Sequence, residues 1–182
     1  MAIDKVTSAS ITTDAVGPTQ LNEAANYDFT GTVTGAGESN TPLVYAYATG
    51  TTTTVSTSTN TKITLNTELV DSASLFADSK FTVTTAHLGK YWVHWQWSTN
   101  FSNDGKVLNP KIYKNGSQYL SNYGQVGSTY GSNQTVIGTV SMVVDLDTNG
   151  DYIEFYASHN HGDDRGTNGG GVTNCSIFKI LS

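Results

Sequence analysis

The run GKYWVHWQWSTNF, residues 89 to 101, constrains this chain more than any other stretch. Valine, tyrosine and tryptophan favour extended backbone, and along a strand successive side chains point to opposite faces. Tyr91, Val93, Trp95 and Trp97 therefore share one face, and Trp92, His94, Gln96 and Ser98 share the other. The first set is a core face. All three tryptophans of the chain lie in this run, and a buried aromatic ring removes on the order of 150–250 Å² from water. The second set is not the row of Thr, Lys or Glu that a solvated face carries. Trp92 and His94 need a cover, either a loop of the same chain or the surface of another molecule.

A strand of this kind needs a β domain around it, and the composition supplies one. Gly, Thr, Ser and Asn are abundant and only three prolines occur, while no window shows a helical period with caps at both ends. A length of 182 residues suits one domain with some extra chain. The net charge of −6, with nine Lys and Arg scattered along the chain, leaves no basic patch for nucleic-acid phosphates. No run of 18 apolar residues occurs, and Met1-Ala2-Ile3-Asp4-Lys5 opens no apolar leader, so we expect synthesis in a cytoplasm without membrane insertion. The single cysteine, Cys175, sits in the alternating run CSIFKIL. It cannot close an internal disulfide and reads as a small core side chain.

Residues 1 to 38 read as an arm and residues 39 to 182 as the head. In the arm, Ile3, Val6, Ile11, Val16 and Leu21 are too sparse to build a core. Such a pattern fits a disordered tail or a segment ordered on another surface or on copies of itself. The repeated Ile and Val favour the second, which makes these five residues the anchoring candidates. FTGTVTG is expected to enter the head as a short strand.

The head shows strand signals at the spacing of an antiparallel sandwich. LVYAYA, residues 43 to 48, is the first. TGTTTTVSTSTNT predicts an edge strand or a long hairpin, and Phe76, Phe81 and Val83 lead into the tryptophan strand. Asn115-Gly116, between IYK and SQYL, predicts a tight hairpin. SNYGQVGSTYGSN reads as a loop, and TVIGTVSMVVDL and DYIEFYASH are expected to pair across Asp147-Thr148-Asn149-Gly150. CSIFKILS closes the fold.

In order and spacing, several of these strings resemble the jelly rolls of the tumour necrosis factor and complement globular-head superfamily. FTVTTAHLGKYWVHW resembles its F…G-x-Y-x-F strand pair, with Val93 and Trp95 where phenylalanine is frequent. KNG sits in a middle hairpin, NGDYIEFYAS resembles L-x-x-G-D-x-V, and SIFKIL resembles the terminal F-x-G-x-x-L. The resemblance covers about residues 40 to 182. The arm, with its DAV and YDFTGTV strings, is similar to segments ahead of such heads in bacteriophage tail fibres and other virion surface proteins. This implies an all-β antiparallel jelly-roll sandwich that assembles as a homotrimer. Alternation puts Tyr152, Glu154 and Tyr156 outside and Ile153, Phe155 and Ala157 inside. Trp92, His94, Tyr152 and Tyr156 are therefore the expected trimer contact.

Chemistry is sparse. DLDTNGD opens like a calcium loop, with Asp145, Asp147, Asn149 and Asp151 at alternate positions, but its twelfth position is Tyr156 and its flanks read as strands. A plain Asp/Asn/Gly hairpin is the simpler reading. His159 and His161, two apart in SHNHGDDRGTNGGG, could share a metal across copies, or belong to a mobile polar loop. No nucleophile elbow, phosphate loop or zinc motif occurs, and no cofactor or enzyme activity is expected.

The implied role is a structural protein of a phage virion surface: a capsid decoration or head-fibre knob, held to other virion proteins by its arm. The alternative is a tail-fibre head that binds a host-surface glycan or protein through Tyr119, Tyr123, Tyr130, His159 and His161. A cellular carbohydrate-binding module is the third reading.

Overall fold

Backbone pairing sorts the described residues into two large sheets that share one core, with a separate two-stranded ribbon. The computed structural model describes residues 43–102, 105–121, 124–125 and 134–181, all within the unit Gly37–Ser182. The arm residues Ile3, Val6, Ile11, Val16 and Leu21, like Tyr123 and Tyr130, lie outside the described residues. The strands are β1 (Leu43–Tyr47), β2 (Thr54–Val55), β3 (Thr61–Lys62), β4 (Thr67–Asp71), β5 (Phe76–Ala77), β6 (Lys80–Thr82) and β7 (Gly89–Phe101). They continue as β8 (Val107–Lys114), β9 (Ser117–Ser121), β10 (Gly124–Gln125), β11 (Gln134–Leu146), β12 (Tyr152–His159), β13 (Arg165–Gly166) and β14 (Asn174–Leu181). Among the described residues the one helical element is a 3-10 turn, Thr85–His87, and no helix is long and apolar enough to cross a membrane.

The first sheet has five strands in the order β11-β7-β14-β1-β4. The second has seven, with the path β10-β8-β12-β6-β5, β3 beside β12 and β9 beside β8. Every pairing is antiparallel. The result is an all-β jelly-roll sandwich. Period-2 alternation lays down its core: Val44 and Ala46 of β1, Tyr91, Val93, Trp95 and Trp97 of β7, and Cys175 and Ile177 of β14 come from one sheet. Phe81, Leu108, Ile112, Ile153, Phe155 and Ala157 meet them from the other. Trp95 crosses this layer. Its ring lies 5.1 Å from that of Phe155, and its Nε1–H donates to the carbonyl of Tyr156 at 3.0 Å. A buried indole N–H without a partner would be costly, so the acceptor fixes how the sheets face each other.

The Asn115-Gly116 hairpin forms as expected between β8 and β9, with φ of 53° and 76° and Lys114 opposite Ser117. These values mark a type I′ turn, whose twist matches that of the flanking strands. Asp78 and Ser79 adopt the same left-handed geometry between β5 and β6, with φ of 51° and 56°, although no glycine signals it.

One expectation is corrected. Residues 147–150 do make a turn, with Gly150 at φ 89°, but β11 and β12 do not pair. β11 pairs with β7 over its whole length, and β12 pairs with β8, β6 and β3. Val144 and Leu146 must meet Ile153 and Phe155 across the core, whereas a hairpin would set both rows side by side in one layer. The threonine-rich segment forms no hairpin of its own and is edge-like, as one of its two readings expects: among the described residues β2 pairs on one side only, with β13, and β3 on one side only, with β12. Its hydroxyls take over backbone bonding: Thr64 N–H donates to Thr53 Oγ1 at 2.9 Å, and Thr52 Oγ1 donates to the Thr64 carbonyl at 2.7 Å.

Trp95→Ala is expected to cost about 3–5 kcal/mol, measured by chemical denaturation, because it removes both the indole volume and the cross-core hydrogen bond. A loss below about 1 kcal/mol would show that the sheets are held together by other contacts.

Candidate functional site

The second face of the tryptophan strand is the outer surface of the five-stranded sheet, and pairing extends it into rows. Val143 of β11 stands opposite Trp92, Trp92 opposite Phe178 of β14, and Phe178 opposite Leu43 of β1. One apolar row thus crosses four strands. Trp92 is 37% exposed, Leu43 41% and Val143 44%. Cross-strand neighbours lie close enough to act as one surface, which makes this row a candidate contact surface.

The rows on either side are polar. Along one edge Asp145 of β11 stands opposite Lys90 of β7 and is ion-paired with it. Along the other, Ser141, His94, Ser176 and Tyr45 stand in register, with His94 Nδ1 2.7 Å from Ser141 Oγ. Burial pulls the His94 imidazole below its ordinary value, so the row is neutral near pH 7. Beyond it, Gln96 donates to the Val172 carbonyl at 2.9 Å, and Tyr47 lies beside Tyr45 with ring centroids 6.2 Å apart.

The four residues expected to share one contact do not come together. Tyr152 and Tyr156 belong to β12, in the other sheet. Both strands turn their core rows inward, so their outer rows face opposite sides of the sandwich. Tyr156 stacks on Tyr113 at 4.0 Å, and Lys80 Nζ sits 4.9 Å from the centre of the Tyr152 ring. Trp92 and His94 remain together; the tyrosines are removed from that set.

His159 and His161 are not an exposed recognition loop. They are 3% and 2% exposed, held by the aromatic end of β7: Trp97 stacks on His159 at 6.1 Å and Phe101 lies 5.0 Å from His161. His159 Nε2 meets the Val55 carbonyl at 2.8 Å, and its Nδ1 accepts from the His161 N–H at 3.1 Å. That pattern requires the neutral Nε2–H tautomer. The Arg165 guanidinium lies 2.6 Å from His161 Nδ1 and 2.9 Å from its Nε2, a fixed positive charge where a metal would have to sit. Among the described residues no three His, Cys, Asp or Glu side chains converge on a metal position.

The calcium-like segment is a lysine-matched turn. Lys114 Nζ donates to the Asp145 carbonyl at 2.6 Å and lies 3.3 Å from Asp151. Asp147 accepts from Thr148 at 3.3 Å, and Asn149 is exposed in the turn. Burial pushes the Asp151 carboxyl up, but hydrogen bonds from Asn115, Lys114 and the Thr148 backbone together hold it below its ordinary value. Tyr119 is 48% exposed but lies in strand β9, not in a loop.

Phe178, Leu43 and Val143, which complete the apolar row, were missed by sequence reasoning. Each sits at the non-core parity of its strand, which is a readable signal, but only the register shows that the three line up with Trp92.

No protein-family model and no curated protein matches this chain. Among solved structures it is similar to one described as Eiger TNF from S. frugiperda, with 14% identity and a TM-score of 0.57, over 76% of this chain and 91% of that one. At this identity the likeness is one of fold, a TNF-like jelly roll.

His94, His159 and His161 all lie below the ordinary histidine value of 6.5, with burial the largest cause. The unfolded chain therefore takes up protons before the folded one, and stability falls as pH drops below about 6.5. The midpoint of thermal unfolding should fall between pH 8 and pH 5, and fall less in His159→Gln. An unchanged midpoint over this range would contradict the neutral buried pair. Asp151 adds its own loss only below about 3.8, the ordinary carboxylate value.

Proposed function

We propose that this chain is a non-enzymatic structural protein of a bacteriophage virion surface, a capsid decoration or head-fibre knob. It assembles as a homotrimer through the outer face of its five-stranded sheet and is attached to the particle by residues 1 to 38. The observation that carries the assembly is the row Val143–Trp92–Phe178–Leu43. An apolar strip flanked by an Asp145–Lys90 pair on one side and by His94, Ser141, Ser176 and Tyr45 on the other has the layout of a subunit interface: dry centre, polar rim. Closed rotational symmetry covers such a strip in every copy.

The order three follows the likeness to TNF-like jelly rolls, and the virion setting follows the likeness of the arm to segments ahead of phage heads. A tail-fibre receptor-binding head would use the same trimer.

Sedimentation velocity of the full chain should give a single trimeric species. Trp92→Glu should weaken assembly by about 2–4 kcal/mol while leaving the far-UV circular dichroism intact. A wild-type chain that stays monomeric at tens of micromolar sinks the proposal. Immunogold labelling of phage particles then separates the two settings: gold on the capsid supports decoration, and gold at the tail tip supports the receptor-binding head.

A further inference from the structure

The end of the sandwich where β7 runs out carries a separate feature. A cleft of about 200 Å³ opens there, lined among others by Thr51, Thr99, Asn100, Asp164, Arg165 and Asn168. Among the described residues no aliphatic or aromatic residue lines it, so an apolar ligand finds no surface to bury against. Its floor is stitched to β7: the Asn168 N–H donates to the Ser98 carbonyl at 2.9 Å, and Thr99 Oγ1 donates to the Gly166 carbonyl at 2.7 Å. The Thr167 N–H donates to the Thr53 carbonyl at 2.8 Å, which ties in the segment that carries Thr51. A cleft held in this way loses little freedom when a ligand enters.

Internal hydrogen bonds decide what the two amides can still offer. Asn100 Oδ1 accepts from Asn168 Nδ2 at 2.9 Å and from Thr135 Oγ1 at 3.1 Å, which uses both of its lone pairs. Asn168 Nδ2 donates to Asn100 and also to Ser98 Oγ at 3.2 Å, which uses both of its protons. Asn100 therefore meets a ligand as a donor, through Nδ2, and Asn168 as an acceptor, through Oδ1. Asp164 is exposed and among the described residues forms no ion pair, so its carboxylate is a second acceptor. Arg165 turns Nη2 to His161 at 2.6 Å and to Asp163 at 3.6 Å, and its charge balances that of Asp164 on the lining. A simple anion would meet Asp164 and the Asn168 oxygen, and a simple cation would meet Arg165 and the Asn100 amide. A neutral ligand whose groups both donate and accept fits this lining, and hydroxyls are such groups. A nucleobase edge also mixes donors and acceptors, but its ring has no aromatic side chain here to stack on.

We propose that this cleft binds one neutral sugar residue through its ring hydroxyls, one accepting from Asn100 Nδ2 and others donating to Asn168 Oδ1 and Asp164. The volume is below that of drug-sized sites and admits a single residue. The site is built from one chain, and Asn100 stands toward the far end of β7 from Trp92, roughly 26 Å along the strand. It requires neither the trimer nor the virion setting.

The test is proton–nitrogen correlation NMR of the full, nitrogen-labelled chain titrated with glucose, galactose and mannose, neutral hexoses that differ in which hydroxyls are axial. At least one should shift the Asn100 side-chain amide signals saturably, with a dissociation constant on the order of 1–10 mM, and glycerol and acetate should bind more weakly. Asp164→Ala, which removes an exposed carboxylate, should weaken the hexose about tenfold. Thr51→Trp, a plug placed from an exposed position, should abolish the shift. Circular dichroism of both variants should match the wild type, which separates loss of the site from loss of fold. No saturable shift with any of the three hexoses, equal binding of glycerol, or an undiminished shift in Asp164→Ala would each overturn the assignment. So would acetate binding that tightens in Asp164→Ala, the mark of an anion site beside Arg165. A chain that stays monomeric yet binds a hexose would remove the trimer and leave this site standing.

Discussion

The sandwich depends on Trp95. It is fully buried, its ring packs on Phe155 of the opposite sheet, and its indole N–H finds an acceptor only in the backbone of β12. A single side chain therefore supplies both apolar area and a directional bond between the layers. Hydrophobic burial alone tolerates sliding of one sheet over the other, since it has no direction. A hydrogen bond across the core does not, because a shift would leave a buried donor unpaired. Trp97, two residues on, also has its indole N–H satisfied, by the Thr167 hydroxyl at 3.3 Å.

With the inner faces committed in this way, the outer faces are what remains for function, and their chemistry differs. The five-stranded sheet shows an apolar row with a polar border, suited to a protein surface of matching shape. The seven-stranded sheet carries a small, mainly polar cleft beside the buried Lys111.

Much of this is legible in the sequence. The parity of GKYWVHWQWSTNF separated Trp95 from Trp92 correctly, Asn115-Gly116 marked its hairpin, and the alternation around Cys175 marked a core strand whose thiol burial now pushes up. These are local properties, decided by side-chain period and turn stereochemistry. Errors arose where two strands had to be assigned to layers. The turn at residues 147–150 is the same chemistry whether it closes a hairpin or crosses between sheets, and Tyr152 and Tyr156 were grouped with Trp92 because parity says "outside" without saying which outside. His159 and His161 looked like a polar loop because their cover, Trp97 and Phe101, is distant in sequence.

The sequence by itself determined that the chain is β, that its tryptophan strand is buried on one side and ill suited to water on the other, and where its tight turns fall. These follow from backbone geometry within a few residues. Only the tertiary structure decided which residues join Trp92 in a row and which surround Lys111. Register and layer are set by pairing between segments tens of residues apart, as Leu43 with Phe178 and Asn109 with Ser158 are, and the free energy that selects such pairs resides in the packed whole.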